Sequence, residues 1–581
     1  MPKVQASVPS PTLASGGKIY PAALIIVLAG LAAYGNSIHG VFLLDDRASI
    51  VENSTIQHGW LGALNTPTGG ETTAGRPLVN LSLALNYRAG GLSVGGYHAF
   101  NLAVHLLAGL ALFGLVRRTL ELPKLRERFG AQAFSVALVA ALLWTLHPLQ
   151  TESVTYIVQR AESLMGLFYL LTLYCLARGL GQARSGVWLG FSIAACVLGV
   201  FCKEVIATAP LMALLYDRTF VAGTFAAALR QRRKFYAALA ATWLPLGWLA
   251  WQAGNRAGSA GFGSGASPWN YALTQAGALA DYLRLSVWPQ SLSLDYGMDL
   301  AKDASDVAPQ IALVLVLLAG TVYLLWRKPA LGFLGAWFFV VLAPSSSIVP
   351  VITETEAEHR LYLPLAALAA GAAVGLHAWL GRRALVATLA LAVALGAMTF
   401  ARNQDYSSAM KIWRDDTAKH PNLARAHENL AVTLDEEKRL PESLQEFHRA
   451  LQLRPVFPEC EIALGKTFAA MGSLDDAASC FARAAQEFSR PREQAIAYFD
   501  LGNALGESGR FDDALAAYTQ SVQLLPENAA AHNLRGYVLS KMGRYAEAIT
   551  EYQQALKLQP DFPQCAANLA AARKHLEPLN S

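Results

Sequence analysis

Apolar residues are distributed in two ways along this chain. From about residue 20 to 400 they run in long blocks, and from about 402 to 581 they recur at helical spacing among charges. A helix that spans a bilayer needs about 20 apolar residues, within a range of roughly 17–25. Eleven stretches fit this pattern: 20–38, 98–116, 131–147, 161–178, 186–202, 204–217, 235–253, 308–326, 331–349, 361–380 and 384–400. The stretch 204–217 is the shortest and opens on Glu204. Residues 270–292 are also apolar, but Asp281, Arg284 and Pro289 interrupt them, which predicts a re-entrant or interfacial element. The first block lies too far from the start, and lacks a small-residue cleavage site, to read as a cleaved signal peptide.

The polar part is periodic on a longer scale. Small residues recur at Ala431, Gly465, Gly502 and Gly536, and again at Ser443, Ala477, Ala514 and Ala548, both at steps of 34, 37 and 34. Phe447, Phe481, Tyr518 and Tyr552 follow the second set by four residues, and Pro455, Pro491, Pro526 and Pro560 close the units. This register resembles the tetratricopeptide repeat (TPR), a 34-residue helix–turn–helix. Small residues let paired helices approach, and the aromatic fills the gap. The three extra residues are expected in a loop near Ser489–Glu493, and 561–576 are expected to cap the array. Such solenoids bind extended peptides or proteins in a concave groove. The predicted fold class is therefore all-α: a polytopic helical membrane domain of about 11 spans (19–401) and a soluble TPR α-solenoid (402–581). Residues 1–18, rich in Pro, Ser and Ala, are expected to be a disordered cytoplasmic N-terminus.

Composition sharpens this picture. Of 581 residues, 54% are hydrophobic and 15% charged, where soluble domains carry about 25% charged residues. An ordinary soluble enzyme is excluded. A net charge of +5 over this length is no basic footprint, so no nucleic-acid partner is expected. Six cysteines without regular spacing exclude a disulfide scaffold and a zinc ribbon. Cys460 and Cys565 both follow Phe-Pro-x, which reads as repeat packing.

Basic residues also suggest an orientation. Alternate loops hold Lys3, Lys18, Arg117, Arg118, Lys124, Arg126, Arg128, Arg178, Arg184, Arg218, Arg230, Arg232, Arg233, Lys234, Arg327, Lys328, Arg382 and Arg383, eighteen in all. The opposite, longer loops hold nine. The positive-inside rule then puts the N-terminus in the cytoplasm and, with eleven spans, the TPR domain outside. Short loops and an Ala-rich chain favour a bacterial inner membrane with periplasmic repeats over the endoplasmic reticulum.

Four clusters of chemistry fall in the predicted external loops. The first is Asp45-Asp46, two carboxylates beside a membrane helix, suited to a general base, a divalent-cation ligand, or both. Other acidic pairs, Asp475-Asp476 and Asp512-Asp513, start repeat helices and read as N-caps. The second cluster is His147-Pro148 with Glu152, Arg160 and Glu162, where Arg160 is suited to a phosphate and Glu152 to a sugar. The third is Lys203-Glu204, readable also as a snorkelling lysine paired with a carboxylate. The last is Glu354-Thr-Glu356-Ala-Glu358-His359-Arg360-Leu-Tyr362, whose acids are expected to be solvated and whose Arg360 borders an apolar span. No P-loop, dinucleotide fingerprint or nucleophile elbow is present. An external site without nucleotides needs a donor activated before it crosses the membrane, and a lipid-linked sugar phosphate fits. Asn53-Ser-Thr and Asn80-Leu-Ser match the N-glycosylation pattern, which is short enough to arise by accident.

The order of these pieces resembles the transmembrane and TPR-containing O-mannosyltransferase family, and more broadly the C-type glycosyltransferases. The residues carrying the resemblance are Val41 to Asp46, Arg76-Pro77-Leu78, Tyr97 to Leu102, His147-Pro148 with Glu152-Ser153-Val154 and Arg160-Ala161-Glu162, Lys203-Glu204, Glu358 to Pro364, and the repeat tail. The resemblance implies inverting transfer of a sugar, mannose in the family, from a polyprenyl-phosphate donor to a Ser or Thr hydroxyl. It implies Asp45 or Asp46 as general base and Arg360, Lys203 and Arg160 at the donor phosphate. Glu152, His147, Glu204, His359 and Tyr362 would shape the sugar and acceptor pocket. A divalent cation (Mg2+ or Mn2+) on Asp45 and Asp46 is allowed but not required. The acceptor protein or peptide would lie in the TPR groove. The alternatives are an O-antigen-ligase-like oligosaccharide transferase and a non-enzymatic membrane-anchored TPR scaffold.

Overall fold

The computed structural model describes residues 19–67, 72–180, 185–253, 267–297, 300–347, 349–351 and 354–576. The expected disordered segment 1–18 lies outside them. Among the described residues every regular element is a helix. The chain divides into two compact units, Met1–Asp415 and Asp416–Ser581. The boundary falls later than residue 402 because the helix Ala384–Asp405 runs on past it. Its buried Arg402 then ion-pairs with Asp405 at 3.0 Å and Asp415 at 2.7 Å, holding that stretch to the first unit.

Among the described residues, six helical stretches in the first unit are long and apolar enough to cross a membrane: Tyr20–His39, Val94–Leu120, Pro123–Thr145, Glu204–Ala222, Ala304–Arg327 and Ala384–Asp405. Shorter apolar helices occupy Ser185–Val200, Pro329–Leu342 and Pro364–Leu380. The short stretch opening on Glu204 is thus extended to 19 residues by helical turns at both ends. The expected span 161–178 lies in the helix Arg160–Gly179, which is buried along nearly all its length. The expected span 235–253 is broken instead. One helix runs Phe225–Ala241 with a kink at Arg232, and a second covers Trp243–Ala253. The kink has a local cause. Buried Asp217 accepts from Arg232 at 2.8 Å and from the Tyr236 hydroxyl at 2.8 Å, drawing both onto one carboxylate. Residues 268–287 form one uninterrupted helix, Pro268–Val287, so no re-entrant turn occurs there.

The outer surface of this unit is apolar. In the Ala304–Arg327 helix only 6% of the apolar window is covered by protein, and Val316, Val322 and Trp326 stand more than two-thirds exposed. Soluble monomers do not show so continuous an apolar face. A bilayer is the solvent that suits it. Inside, His105 ties three elements together. Its ring lies 3.0 Å from the Tyr362 hydroxyl and 3.0 Å from the Thr145 carbonyl, while Trp144 Nε1 donates to the Tyr362 carbonyl at 2.7 Å. These bonds hold the segment Glu358–Leu361 over the bundle.

The second unit stacks helix pairs: Ala424–Glu436 with Leu440–Leu453, Pro458–Ala470 with Leu474–Glu487, Pro491–Glu507 with Phe511–Leu524, and Ala529–Lys541 with Tyr545–Leu558. The final helix, Pro563–Leu576, packs on the last pair and buries Cys565 and Leu569 against Tyr552. A Cβ added at Gly465, Gly502 or Gly536 would sit 2.6, 2.7 or 2.9 Å from the ring of Phe481, Tyr518 or Tyr552. That contact is the physical basis of the small–aromatic register. Cys460 and Cys565 are fully buried at equivalent places, which makes them packing residues.

Two expectations change here. The three extra residues do not form a loop. They go into the helix Pro491–Glu507, which at 17 residues is four longer than its 13-residue counterparts, and the connection before it is one residue shorter. The acidic pairs are not caps either. Asp475-Asp476 and Asp512-Asp513 lie inside the first turn, where the helix dipole favours them, and Asp513 pairs with Arg510. Both candidate glycosylation asparagines are buried and bonded to each other at 2.9 Å, so neither offers its amide to a transferase. Substituting Gly502→Val should overpack its repeat at a cost of about 1–3 kcal/mol. The readout is faster amide hydrogen exchange in Pro491–Glu507 and Phe511–Leu524. Unchanged exchange there would contradict this packing.

Candidate active site

The two carboxylates of the first cluster are adjacent in sequence but face opposite ways. Leu44 takes a positive φ of 38°, and the turn closes with the Asp46 N–H donating to the Leu43 carbonyl at 2.8 Å. Asp46 then points inward with no exposed surface. One of its oxygens accepts from the Leu43 N–H at 3.0 Å and the other from the Val158 N–H at 2.7 Å. It is the staple between the first and second loops. Burial pushes its carboxyl up to about 8, against the pull of the two N–H donors.

Asp45 is exposed. Its N–H donates to the Tyr156 hydroxyl at 2.9 Å, and its carboxylate accepts from the Thr72 hydroxyl at 2.6 Å. Thr72 continues the chain of contacts. Its carbonyl accepts from Arg76 at 2.8 Å, and Arg76 reaches Glu204 at 3.3 Å. Arg76 is almost buried, while the Glu204 side chain is 41% exposed. Both oxygens of Asp46 are engaged by backbone N–H groups, so the pair does not form a shared two-carboxylate cradle for a cation. Among the described residues no group of three or more His, Cys, Asp or Glu is arranged to hold a metal ion.

Behind this rim lie one buried ion pair and one buried carboxylate–imidazole pair. Lys203 does not pair with its neighbour Glu204. It reaches Glu162 at 2.6 Å, both nearly covered. Glu152 takes two bonds from His359, one from the backbone N–H and one from ring Nδ1, each 2.7 Å. Burial raises the Glu152 carboxyl and holds His359 well below the usual imidazole range, with the Lys203 charge adding to the latter. The neutral ring therefore donates through Nδ1 and leaves Nε2 as an acceptor, 3.8 Å from a Glu354 carboxylate oxygen.

The other expected site residues are held more tightly. Arg360 spends its guanidinium on three carbonyls, of Ser345 (3.1 Å), Thr355 (3.1 Å) and Glu354 (2.5 Å), so no carboxylate neutralises it directly. Arg160 is fully buried. It bonds Asn101, Ser82, Asn86 and the Tyr97 carbonyl, and lies 4.6 Å from the Phe100 ring centre. The structure thus places Arg160 inside the bundle rather than at an open phosphate pocket. His147 links the second loop to the helix Pro268–Val287. Its Nδ1 accepts from Leu149 N–H, so Nε2 donates to the Ser286 carbonyl at 3.2 Å. Tyr362 belongs to the His105–Trp144 core. The acids of the last cluster are not all solvated. Glu358 is fully buried, accepting from Ser293 N–H at 2.7 Å and the Tyr296 hydroxyl at 2.8 Å.

Short contacts therefore join Asp45 to Glu204 through Thr72 and Arg76, Lys203 to Glu162, and Glu152 to His359, with Arg360 next to His359 in the chain and the Lys203 charge acting on Glu152 and His359 through the field. Thr72, Arg76, Tyr156 and Glu162 join them, although the site reading from sequence left them out. Arg76 and Glu162 stood within motifs that had been noticed. Thr72 and Tyr156 carried no local signal.

The chain is similar to protein O-mannosyl-transferases. It is 33% identical over 199 residues to the Tmtc2 protein O-mannosyl-transferase of Drosophila melanogaster, covering 32% of this chain and 20% of that one. It is 34% identical over 164 residues to tmtc2 of Xenopus laevis (26% and 18%) and 29% over 205 residues to TMTC4 of Mus musculus (32% and 27%). The matched stretch thus spans about a fifth to a quarter of those relatives' length. Residues 499–564 match the tetratricopeptide repeat family model. Among solved structures, a TPR protein with an unusual peptide-binding site, YrrB, covers 27% of this chain and 80% of its own at 18% identity and TM-score 0.25. The type IV pilus biogenesis factor PilW covers 32% and 88% at 19% identity and TM-score 0.26.

The geometry separates the two aspartates by stability. Asp46→Asn keeps one acceptor but sets an N–H₂ against a backbone N–H, which should cost about 1–3 kcal/mol. Because Asp46 is raised in the folded state, its contribution to stability is present below about 4 and lost as pH climbs toward about 8. Wild-type melting temperature should fall across that window more steeply than that of Asp46→Asn. Asp45→Asn should melt close to wild type. Equal melting losses in the two variants would refute the division of roles.

Proposed function

We propose that the chain is a protein O-glycosyltransferase that moves a sugar, mannose by its likeness to the O-mannosyl-transferases, from a polyprenyl phosphate to a Ser or Thr hydroxyl. The observation that carries this reading is the exposed Asp45 carboxylate. It is already bonded to a threonine hydroxyl and stands at a rim with Arg76 and Glu204. An acceptor hydroxyl replacing that of Thr72 would present its proton to Asp45 and its oxygen to the anomeric carbon.

The remaining steps follow from charge. As the C–O bond to the phosphate breaks, the phosphate gains negative charge, and preorganised cations stabilise it without moving. Arg76 lies at the rim and Lys203 behind it, and Arg360, bonded to three carbonyls, adds to the field. Phosphate is a good leaving group, so no strong acid is required. Attack from the face opposite the phosphate inverts the anomeric centre. Glu152 and His359 act as one unit: the carboxylate fixes the ring tautomer, and Nε2 is left to accept from a sugar hydroxyl. Hydroxyl-bearing segments of an acceptor protein would be gathered by the TPR unit. The site would face the extracytoplasmic side, with a periplasmic TPR domain in a bacterial inner membrane, as the basic loops and short connections suggest.

The test is transfer of labelled mannose from synthetic polyprenyl-phosphate mannose to Ser/Thr peptides by purified, folded protein. A general base contributes roughly 10²–10⁴-fold, so Asp45→Asn should lose at least about a hundredfold in rate while retaining donor binding. Full transfer by Asp45→Asn would move the base elsewhere. Transfer of a preassembled oligosaccharide, with none of the monosaccharide, would favour the ligase alternative.

A further inference from the structure

One cavity of the first unit lies away from the aspartate loop. It has a volume of about 720 Å3 and lies between the C-terminal half of Val94–Leu120 and the helices Pro329–Leu342 and Pro364–Leu380. Asn101, which holds Arg160, sits near the start of the first of these helices, whereas the cavity is lined from Leu112 to Leu120. At 1.5 Å per residue, Leu120 lies about 30 Å along the axis from Asn101. Ala366, Ala367, Ala370 and Gly371 leave one wall without bulk. Most of the lining is apolar, but three cations stand at the remote end: Lys124, Arg128 and Lys328. Arg128 and Lys328 are exposed, and Lys124 donates to the Thr219 carbonyl at 2.9 Å.

From this cavity and its charges we infer that the chain holds an anionic glycerophospholipid, its acyl chain in the groove and its phosphate on Arg128 and Lys328. The volume falls within the range of about 300–1,000 Å3 typical of small-molecule sites. Basic pockets between membrane helices recognise anionic headgroups, since each cation near the surface is worth about 1 kcal/mol. The cations also decide between occupants. The tail of a polyprenyl donor is uncharged and has nothing to offer them, while its phosphate is needed at the Asp45 end. The choice of occupant rests on the transferase reading, which puts the donor phosphate at Asp45, whereas the cavity and its cations do not.

The experiment is native mass spectrometry of the purified full chain in neutral detergent, titrated with palmitoyl-oleoyl phosphatidylglycerol or the matching phosphatidylcholine. Wild type should show a one-to-one phosphatidylglycerol adduct, bound roughly tenfold more tightly than phosphatidylcholine. Arg128→Glu with Lys328→Glu should abolish that preference, and Arg128→Gln with Lys328→Gln should weaken it. Both pairs leave Lys124 in place, and lipid-free melting temperatures equal to wild type verify folding. Equal binding of the two lipids by wild type would overturn the inference. So would phosphatidylglycerol binding that survives in both variants, or its displacement by undecaprenyl monophosphate, which would assign the groove to the donor.

Discussion

Asp46 carries the constraint on which the site depends. A buried carboxylate without a partner is costly, and here two backbone N–H groups, from Leu43 and Val158, supply its solvation. Those donors belong to different loops, so satisfying one side chain fixes the position of both. It also turns the neighbouring Asp45 outward, because the Leu43–Asp46 turn admits only one of the two inside. Arg160 is the counterpart on the other side of the second loop. It is a buried cation solvated by neutral oxygens, and it interacts with Asp46 through the field rather than by contact. The loops are thereby held by groups that cannot leave without stranding buried partners, the Leu43 and Val158 N–H groups in one case and the Asn101 and Tyr97 oxygens in the other.

Around this staple the charges are arranged in pairs that use each other up. Lys203 with Glu162, and Glu152 with His359, are short and covered, whereas Asp45, Glu204 and Glu354 remain at the rim. Such a frame suits a reaction in which charge moves from a hydroxyl to a phosphate, since the dipoles are oriented beforehand. It also explains why several expected pocket residues serve as supports. His147 and Tyr362 have their polar atoms committed to neighbouring elements, and their value lies in where they hold Glu152 and His359.

Much of this was legible in the chain. Block hydrophobicity located apolar helices, and six of its eleven stretches are long and apolar enough to cross a membrane, since a bilayer demands one continuous apolar length whatever the neighbours. The repeat register located every helix pair of the TPR unit, since close approach at Gly502 and filling by Tyr518 are local and periodic. The failures were of two kinds. The 235–253 span is interrupted at Thr242, and its first helix starts earlier, at Phe225, with a kink at Arg232 where Asp217 captures Arg232 and Tyr236. The insertion near residue 490 became helix because Pro491 can begin a helix as readily as end a loop.

By itself, the sequence determined the two-part architecture, the repeat register and the side-chain chemistry available in the loops. All three follow from composition and spacing along one dimension. Only the tertiary structure decided which aspartate faces out and that Lys203 belongs to Glu162 rather than Glu204. It also showed that Arg160 is sealed in, and that Thr72 and Tyr156 stand against Asp45. Partner choice among buried charges depends on which donors lie within about 3 Å after folding. No pattern of neighbours in the chain encodes that distance.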